Sequence, residues 1–202
     1  MQHAKELTDK AFLLPNIPAN GNLAYLFLAF IAMAGLSYIN FLPGVVSALA
    51  GGIGFSEAET GQVVALNGYG GIVGSVSAIF LVRRIQWQST TLKLLSVLFM
   101  IDLGSVWIDD YRIMLGWRFI AGTVGGLSVG IAFSVFARLN NPDRAFGILL
   151  CVQFGVGALV IYLLPGIEGL LGSYAVFYIM ATFVLVSLVC LSFLPTYPVD
   201  SV

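Results

Sequence analysis

Six apolar runs, each long enough to cross a lipid bilayer, dominate this sequence. An α-helix rises about 1.5 Å per residue, so about 20 apolar residues span the hydrocarbon core. The runs cover residues 22–50, 57–82, 90–108, 111–139, 144–164 and 173–194. We therefore predict an all-α integral membrane protein whose residues 22–195 form a six-helix bundle. Residues 1–21 are a polar tail, and residues 196–202 are a second tail or the start of a linker.

The composition excludes several classes of protein. Of the 202 residues, 59% are hydrophobic and only 9% are charged, which is too little charge to cover a surface facing water. Nine Lys and Arg against ten Asp and Glu provide no basic surface for a phosphate backbone. These observations exclude a soluble globular enzyme and a nucleic-acid-binding protein. We expect the protein to lie in the lipid bilayer.

The distribution of basic residues between the loops predicts the orientation of the bundle. Lys and Arg accumulate in cytoplasmic loops of membrane proteins. With the N-terminus inside, Arg112 alone falls in an outer loop, and seven basic residues fall inside. These are Lys5, Lys10, Arg83, Arg84, Lys93, Arg138 and Arg144. We expect a multi-pass protein of the plasma (inner) membrane with both termini in the cytoplasm.

Local signals define several helix ends. Ser56 followed by Glu59 is typical of a capping box, in which each side chain bonds the other residue's backbone amide. The glycine-rich residues 51–54 predict a loop before it, and Pro43 predicts a kink near the end of the first span. Pro165 and Gly166 predict the end of the fifth span.

Small residues at four-residue spacing indicate where helices approach closely. Lipid provides no hydrophobic force between helices, so close backbone packing through small side chains takes its place. Gly70 and Gly74 share one face of the second span. Gly122, Gly126 and Gly130 share one face of the fourth. We predict helix packing at both stripes.

Two charges lie at membrane depth, where an ionised side chain is costly and faces a cavity or a partner. Asp102 precedes the predicted outer loop by about eight residues, and Arg118 follows Tyr111 by about seven. Both therefore lie on the order of 10 Å below the outer surface, and adjacent antiparallel helices could bring them together. They are either a structural ion pair or a site at which Arg118 holds an anion and Asp102 carries a proton.

Uncharged polar side chains within the spans are further candidates for a substrate or ion path, because an amide or hydroxyl in hydrocarbon needs a partner. Such a partner is either another helix or a bound solute. The candidates are Tyr38 and Asn40 in the first span, Asn67 in the second and Gln153 in the fifth.

Several short motifs, in order, resemble the N-terminal six-helix half of major facilitator superfamily transporters. The fourth span contains Arg118-Phe-Ile-Ala-Gly122, similar to the family's Arg-x-x-x-Gly signature. Residues 141–147 read Asn-Pro-Asp-Arg-Ala-Phe-Gly and residues 155–157 read Gly-Val-Gly, similar to the start of the family's fifth helix. Residues 59–62, Glu-Thr-Gly-Gln, precede a glycine-rich second span. The loop after that span departs from the family pattern, because Ala78 and Leu81 replace its Asp and later Gly.

The resemblance implies secondary active transport of a small solute by alternating access, with a proton or sodium ion as the coupled species. It further implies that Tyr38, Asn40 and Arg118 contact the solute, because the family's first and fourth helices line the cavity. A second six-helix half, or a second copy of this chain, would complete the transporter. The alternative is a non-transporting six-helix membrane subunit or assembly partner.

A membrane enzyme is a third hypothesis, which the sequence disfavours. Residues 126–130 read Gly-Leu-Ser-Val-Gly, the Gly-x-Ser-x-Gly pattern of serine hydrolases. Ser128 would need a base, and the sole histidine, His3, lies in the polar tail. Neither a metal-ligand spacing nor a phosphate-binding loop is evident, so we expect no catalysis, no metal and no cofactor.

Overall fold

The computed structural model describes residues 17–195 and residue 197, and these residues form helices joined by short connections. The predictions made for Lys5, Lys10, His3 and residues 198–202 lie outside the described part of the chain. The elements are α1 (Asn22–Asn40), α2 (Leu42–Val46), a π-helical segment (Ser47–Ile53), α3 (Glu57–Leu81), α4 (Trp87–Gly104), a 3-10 turn (Ser105–Trp107), α5 (Tyr111–Phe136), α6 (Pro142–Leu171) and α7 (Ala175–Ser192).

Within that described part, six helical segments are long and apolar enough to cross a membrane. They are α1, α3, α4 with its 3-10 turn, α5, α6 and α7. The all-α class and the number of spans therefore agree with the prediction, and the protein is a multi-pass membrane protein by length and composition.

The first span does not end in the predicted loop. The helix is interrupted at Phe41, and α2 then begins with Pro43 in its first turn, where the missing N–H of proline loses no bond. The chain stays helical through the π-helical segment to Ile53. Gly54, with a φ of 90°, ends it, because this left-handed conformation is open chiefly to glycine. The prediction of a loop at residues 51–54 was therefore wrong for residues 51–53, which are helical, and correct for Gly54.

The fifth span continues beyond its predicted end. Helix α6 passes through Pro165 and stops at Leu171, and Gly172 follows with a φ of 76°. Proline removes one backbone donor, but helices in membranes tolerate it where local adjustment satisfies the freed carbonyl. The prediction that Pro165 terminates the span was therefore wrong. The other span ends differ from the predictions by a few residues, as helix boundaries commonly do.

The capping box at the start of α3 is confirmed. The Glu59 amide donates to the Ser56 Oγ at 3.3 Å, and the Ser56 amide donates to the Glu59 Oε2 at 2.9 Å. Two backbone donors that the helix cannot satisfy are thereby paired.

The helices pair in a pattern that repeats after three spans. Helix α3 packs along α5, and α1 packs along α6, so the second helix of each half lies against the first helix of the other. The third helices, α4 and α7, pack on each other, and α1 meets α5 between the halves. Helix α1 also packs on α7 as α5 packs on α4. Exchanging the first three spans with the last three leaves this set of pairs unchanged, and an odd number of spans per repeat inverts one repeat relative to the other.

The tightest pair is α3 with α5, where glycines bring the two backbones into contact. A Cβ added at Gly122 would overlap the backbone carbonyl oxygen of Asn67, and one at Gly126 would overlap that of Gly71. On the other helix, Gly70 and Gly74 similarly face backbone carbonyls of α5. Gly130 continues the α5 stripe and faces the side chain of Ala78. Both glycine stripes predicted from the sequence thus lie in the same contact.

Candidate functional site

A cavity of about 330 Å³ lies between α1, α3 and α5, with α4 and α7 closing one side. Its volume falls within the range of small-molecule sites in proteins. Four of the six residues proposed for a substrate or ion path line it, one or more from each repeat. They are Tyr38 on α1, Asn67 on α3, Asp102 on α4 and Arg118 on α5.

Asp102 and Arg118 form an ion pair in the wall of this cavity. The Arg118 Nη1 donates to the Asp102 Oδ1 at 3.1 Å, and both side chains are fully buried. Their equal depth on adjacent antiparallel helices, counted from the outer loop, predicts this meeting. The guanidinium holds its charge under all conditions relevant to a protein, so an adjacent carboxylate is what makes its burial tolerable.

Ser105 and Trp117 brace the ion pair from the side of the 3-10 turn. The Arg118 Nη2 donates to the Ser105 Oγ, and the Ser105 hydroxyl in turn donates to the Ile101 carbonyl oxygen at 2.8 Å. The Trp117 indole N–H donates to the same carbonyl at 2.9 Å. Ser105 was not predicted as a partner, although it follows Asp102 by three residues and so shares its helix face.

Two aromatic rings flank the guanidinium. The Arg118 Cζ lies 4.6 Å from the ring centroid of Phe177 and 5.2 Å from that of Tyr38. Both distances are within the range of a cation–π interaction, which is strongest where water is excluded. Phe177 was not predicted as a functional residue, because one phenylalanine in an apolar span carries no distinguishing signal.

Several polar atoms around the cavity remain unpaired within residues 17–195. They are the Tyr38 hydroxyl, the Asn67 Oδ1, the Asp102 Oδ2 and the Arg118 Nε, each buried and without a hydrogen-bond partner there. Buried polar atoms are nearly always bonded, so each one without a protein partner requires an explanation. All four belong to residues that line the cavity.

The other candidate residues lie away from the cavity wall. Asn40, at the end of α1, is half-buried, and its carbonyl oxygen faces Gly157 of α6. Gln153 is half-buried on α6, the helix that packs on α1. Ser128 is fully buried on α5, two residues after the contact of Gly126 with α3. The geometry thus separates these three from the group around Arg118.

Comparison with known protein families and with curated proteins finds no match to this chain. The six spans and the cavity therefore describe the protein as a multi-pass helical membrane protein, and any closer functional description is an inference from its geometry.

The cavity wall combines polar and apolar groups. It offers hydrogen-bond donors and acceptors, an apolar surround and a balanced pair of charges. The cavity wall is made by helices from both repeats, so relative movement of the repeats would change its shape.

Proposed function

We propose that this chain is a secondary transporter of the major facilitator type, or one six-helix half of such a transporter, that moves a small solute by alternating access. The observation that carries the proposal is the set of the six most extensive helix pairs, which is unchanged when the first three spans are exchanged with the last three. Inverted three-helix repeats of this kind build the six-helix halves of these transporters.

The position of the cavity supports the proposal. In transporters with internal repeats, substrate and coupling-ion sites lie near mid-membrane where the repeats meet. Here the first helices of the two repeats, α1 and α5, meet beside the cavity, and Arg118 lies in its wall. The motif Arg118-Phe-Ile-Ala-Gly122, similar to the family signature, falls on the same helix.

The hydrogen-bonded polar network around Asp102 suits a coupled ion. Asp102 has one oxygen bonded to Arg118 and a second oxygen, the Oδ2, with no partner in residues 17–195. A proton at that second oxygen would alter the charge balance with Arg118. In the proposed cycle this change favours one of the two arrangements of the repeats.

The alternative function is a non-transporting membrane subunit that assembles with a partner. The large exposed fraction of α6 favours it, since only 17% of its apolar window is buried within the bundle. Its exposed side chains include Phe154 and Tyr162. A second six-helix half would cover the same helix, so this surface alone does not separate the two functions.

Access to the cavity from the two sides of the membrane tests the proposal. Ser75 lines the cavity from α3 and is exposed, so Ser75→Cys places a reactive thiol there. Cys151 and Cys190 are replaced by Ser, and right-side-out and inverted vesicles are treated with a membrane-impermeant maleimide. A transporter exposes this thiol to each side in turn, so we expect labelling in both preparations.

The matched control is Met100→Cys on α4, which is 66% exposed and outside the cavity. Facing acyl chains, it should resist the reagent from both sides. Labelling of Ser75→Cys from one side alone, or from neither, contradicts alternating access and favours the static subunit.

A further inference from the structure

The charged groups of the cavity pair with each other, although the Asp102 Oδ2 and the Arg118 Nε have no partner within residues 17–195. Of the described residues that line it, Asp102 and Arg118 are the charged ones, and they pair at 3.1 Å. Arg118 uses Nη1 on Asp102 and Nη2 on Ser105, and its faces lie against Phe177 and Tyr38. An anion would have to share this guanidinium with the Asp102 carboxylate, which already offsets its charge.

A cationic ligand would be attracted by Asp102 but repelled by Arg118. The unpaired Asp102 Oδ2 would attract it, but the Arg118 charge lies next to the same carboxylate. The pair carries no net charge, so neither sign of ligand gains a full counter-charge. Desolvating an ionic ligand without that compensation is strongly unfavourable.

The remaining wall is mostly apolar, and we call two of its polar residues, Asn67 and Tyr38, the polar corner because each has a buried polar atom without a partner in the described chain. Ile72 and Val76 from α3, Leu98 from α4 and Met180 from α7 provide apolar surface. Asn67 belongs to the polar corner; it is 6% exposed and its Oδ1 is without a protein partner among residues 17–195.

Tyr38 is the second member of this corner. Its side chain is also 6% exposed, and its hydroxyl has no bonding partner in the described chain. A hydroxyl both donates and accepts, and an amide oxygen accepts, so together they suit a group that can do both.

We infer that the cavity binds an uncharged, mainly apolar solute that carries one hydrogen-bonding group, such as an alcohol or a carboxamide, oriented by Asn67 and Tyr38. The inference rests on the proposed function in one respect, that the occupant of the cavity is the transported solute. A cavity of about 330 Å³ equals on the order of ten water molecules in liquid volume, so the solute is small.

Three probes with one carbon skeleton test the charge of the ligand. They are phenylpropanol, phenylpropanoate and phenylpropylammonium, applied to the purified protein in lipid nanodiscs. Gly68 lines the cavity beside Asn67, and a Cβ there meets no described atom within 4 Å, so Gly68→Cys provides a thiol whose labelling rate reports occupancy. Cys151 and Cys190 are again replaced by Ser.

We expect the alcohol to slow labelling of Gly68→Cys in a saturable way and the two charged probes to have little effect. Gly61→Cys is the control, because it lies on the same helix, is open to the same extent and does not line the cavity. Its labelling should not respond to any probe. Preferential protection by the carboxylate or the ammonium, or protection by none of the three, overturns the inference.

Asn67→Leu tests the orienting amide. Loss of a hydrogen bond to a buried group weakens binding by about tenfold, so the alcohol should protect at about tenfold higher concentration. Asn40→Leu is the matched control, since this asparagine also has an unpaired amide atom within residues 17–195 but lies outside the cavity lining. Equal effects of both variants would refute the role of Asn67.

Asp102→Asn tests the charge balance independently. It leaves the Arg118 charge unpaired in the cavity wall, so preference should shift from the alcohol to the carboxylate. Unchanged preference for the alcohol in a folded variant would contradict the argument. Labelling of Ser75→Cys from the two sides of the membrane is measured separately. Failure of the binding inference can therefore be told apart from failure of the proposed transport function.

Discussion

Removing Asp102 should destabilise the bundle more than removing its partner Arg118. Both side chains are fully buried and are joined at 3.1 Å. In Asp102→Leu the guanidinium stays charged, because arginine does not lose its proton in proteins. Breaking a buried pair by removing one member costs about 3–5 kcal/mol, and an arginine at mid-membrane costs a similar amount by insertion measurements, about 2.5–3.5 kcal/mol.

Arg118→Met leaves a carboxyl group that can take up a proton and become neutral. We therefore expect a smaller loss, about 1–3 kcal/mol, as for a buried polar group without a partner. The double variant Asp102→Leu/Arg118→Met removes both charges and should lie within about 1–2 kcal/mol of the parent, because apolar replacements of buried pairs are often close to neutral. The two single losses are thus strongly non-additive.

The assay is reversible unfolding in mixed micelles at increasing denaturant, followed by the far-UV circular dichroism of the four proteins in one cycle. These losses give an expected coupling energy of about 2–7 kcal/mol for the pair. Additive losses in the double variant, or a larger loss in Arg118→Met than in Asp102→Leu, would refute the reasoning.

Three further contacts are tested by the free energy of unfolding of variants: the packing of α5 on α3, the bond from Arg118 to Ser105, and the capping box of α3. Gly122→Ala should lose about 1–3 kcal/mol because its Cβ overlaps the backbone of α3, whereas Gly116→Ala, with no described atom within 4 Å, should gain up to about 1 kcal/mol; equal effects would contradict the close contact. Ser105→Ala should lose about 1–3 kcal/mol because it leaves one guanidinium nitrogen of Arg118 unbonded, and a neutral result would remove Ser105 from the network. Ser56→Ala should lose about 0.5–2 kcal/mol with the capping box, and an unchanged value would show that water replaces the cap.

Counting residues from the loops was sufficient to predict several features of the site. The helix rise places Asp102 and Arg118 at similar depth on consecutive antiparallel helices, so the ion pair was one of the two alternatives predicted for them. The glycine stripes at Gly70 and Gly122 predict close packing because small residues at four-residue spacing let two helix backbones approach each other. Such features depend on local spacing, which a sequence records directly.

The remaining features depend on contacts between distant parts of the chain. Nothing in the spacing of Asn40 or Gln153 distinguishes a cavity residue from one that faces another helix, and the structure places both outside the cavity wall. Phe177 faces Arg118 from α7, a helix far along the chain. Pro165 appears as a terminator in the sequence, but the helix accommodates it. The pairing of helices between the two repeats determines which of these side chains line the cavity.

That pairing is the central claim, and a cross-link between the first and fifth spans tests it most directly. Asn40 on α1 and Gly157 on α6 face each other, since the Asn40 carbonyl oxygen lies 3.9 Å from the Cβ position of Gly157. In a background with Cys151 and Cys190 replaced by Ser, Asn40→Cys/Gly157→Cys should form a disulfide under mild oxidation in native membranes. Met100→Cys/Gly157→Cys should not, because Met100 is exposed on α4, which packs on α5 and α7. No cross-link in the first pair, or equal cross-linking in both, would contradict the packing of α1 against α6.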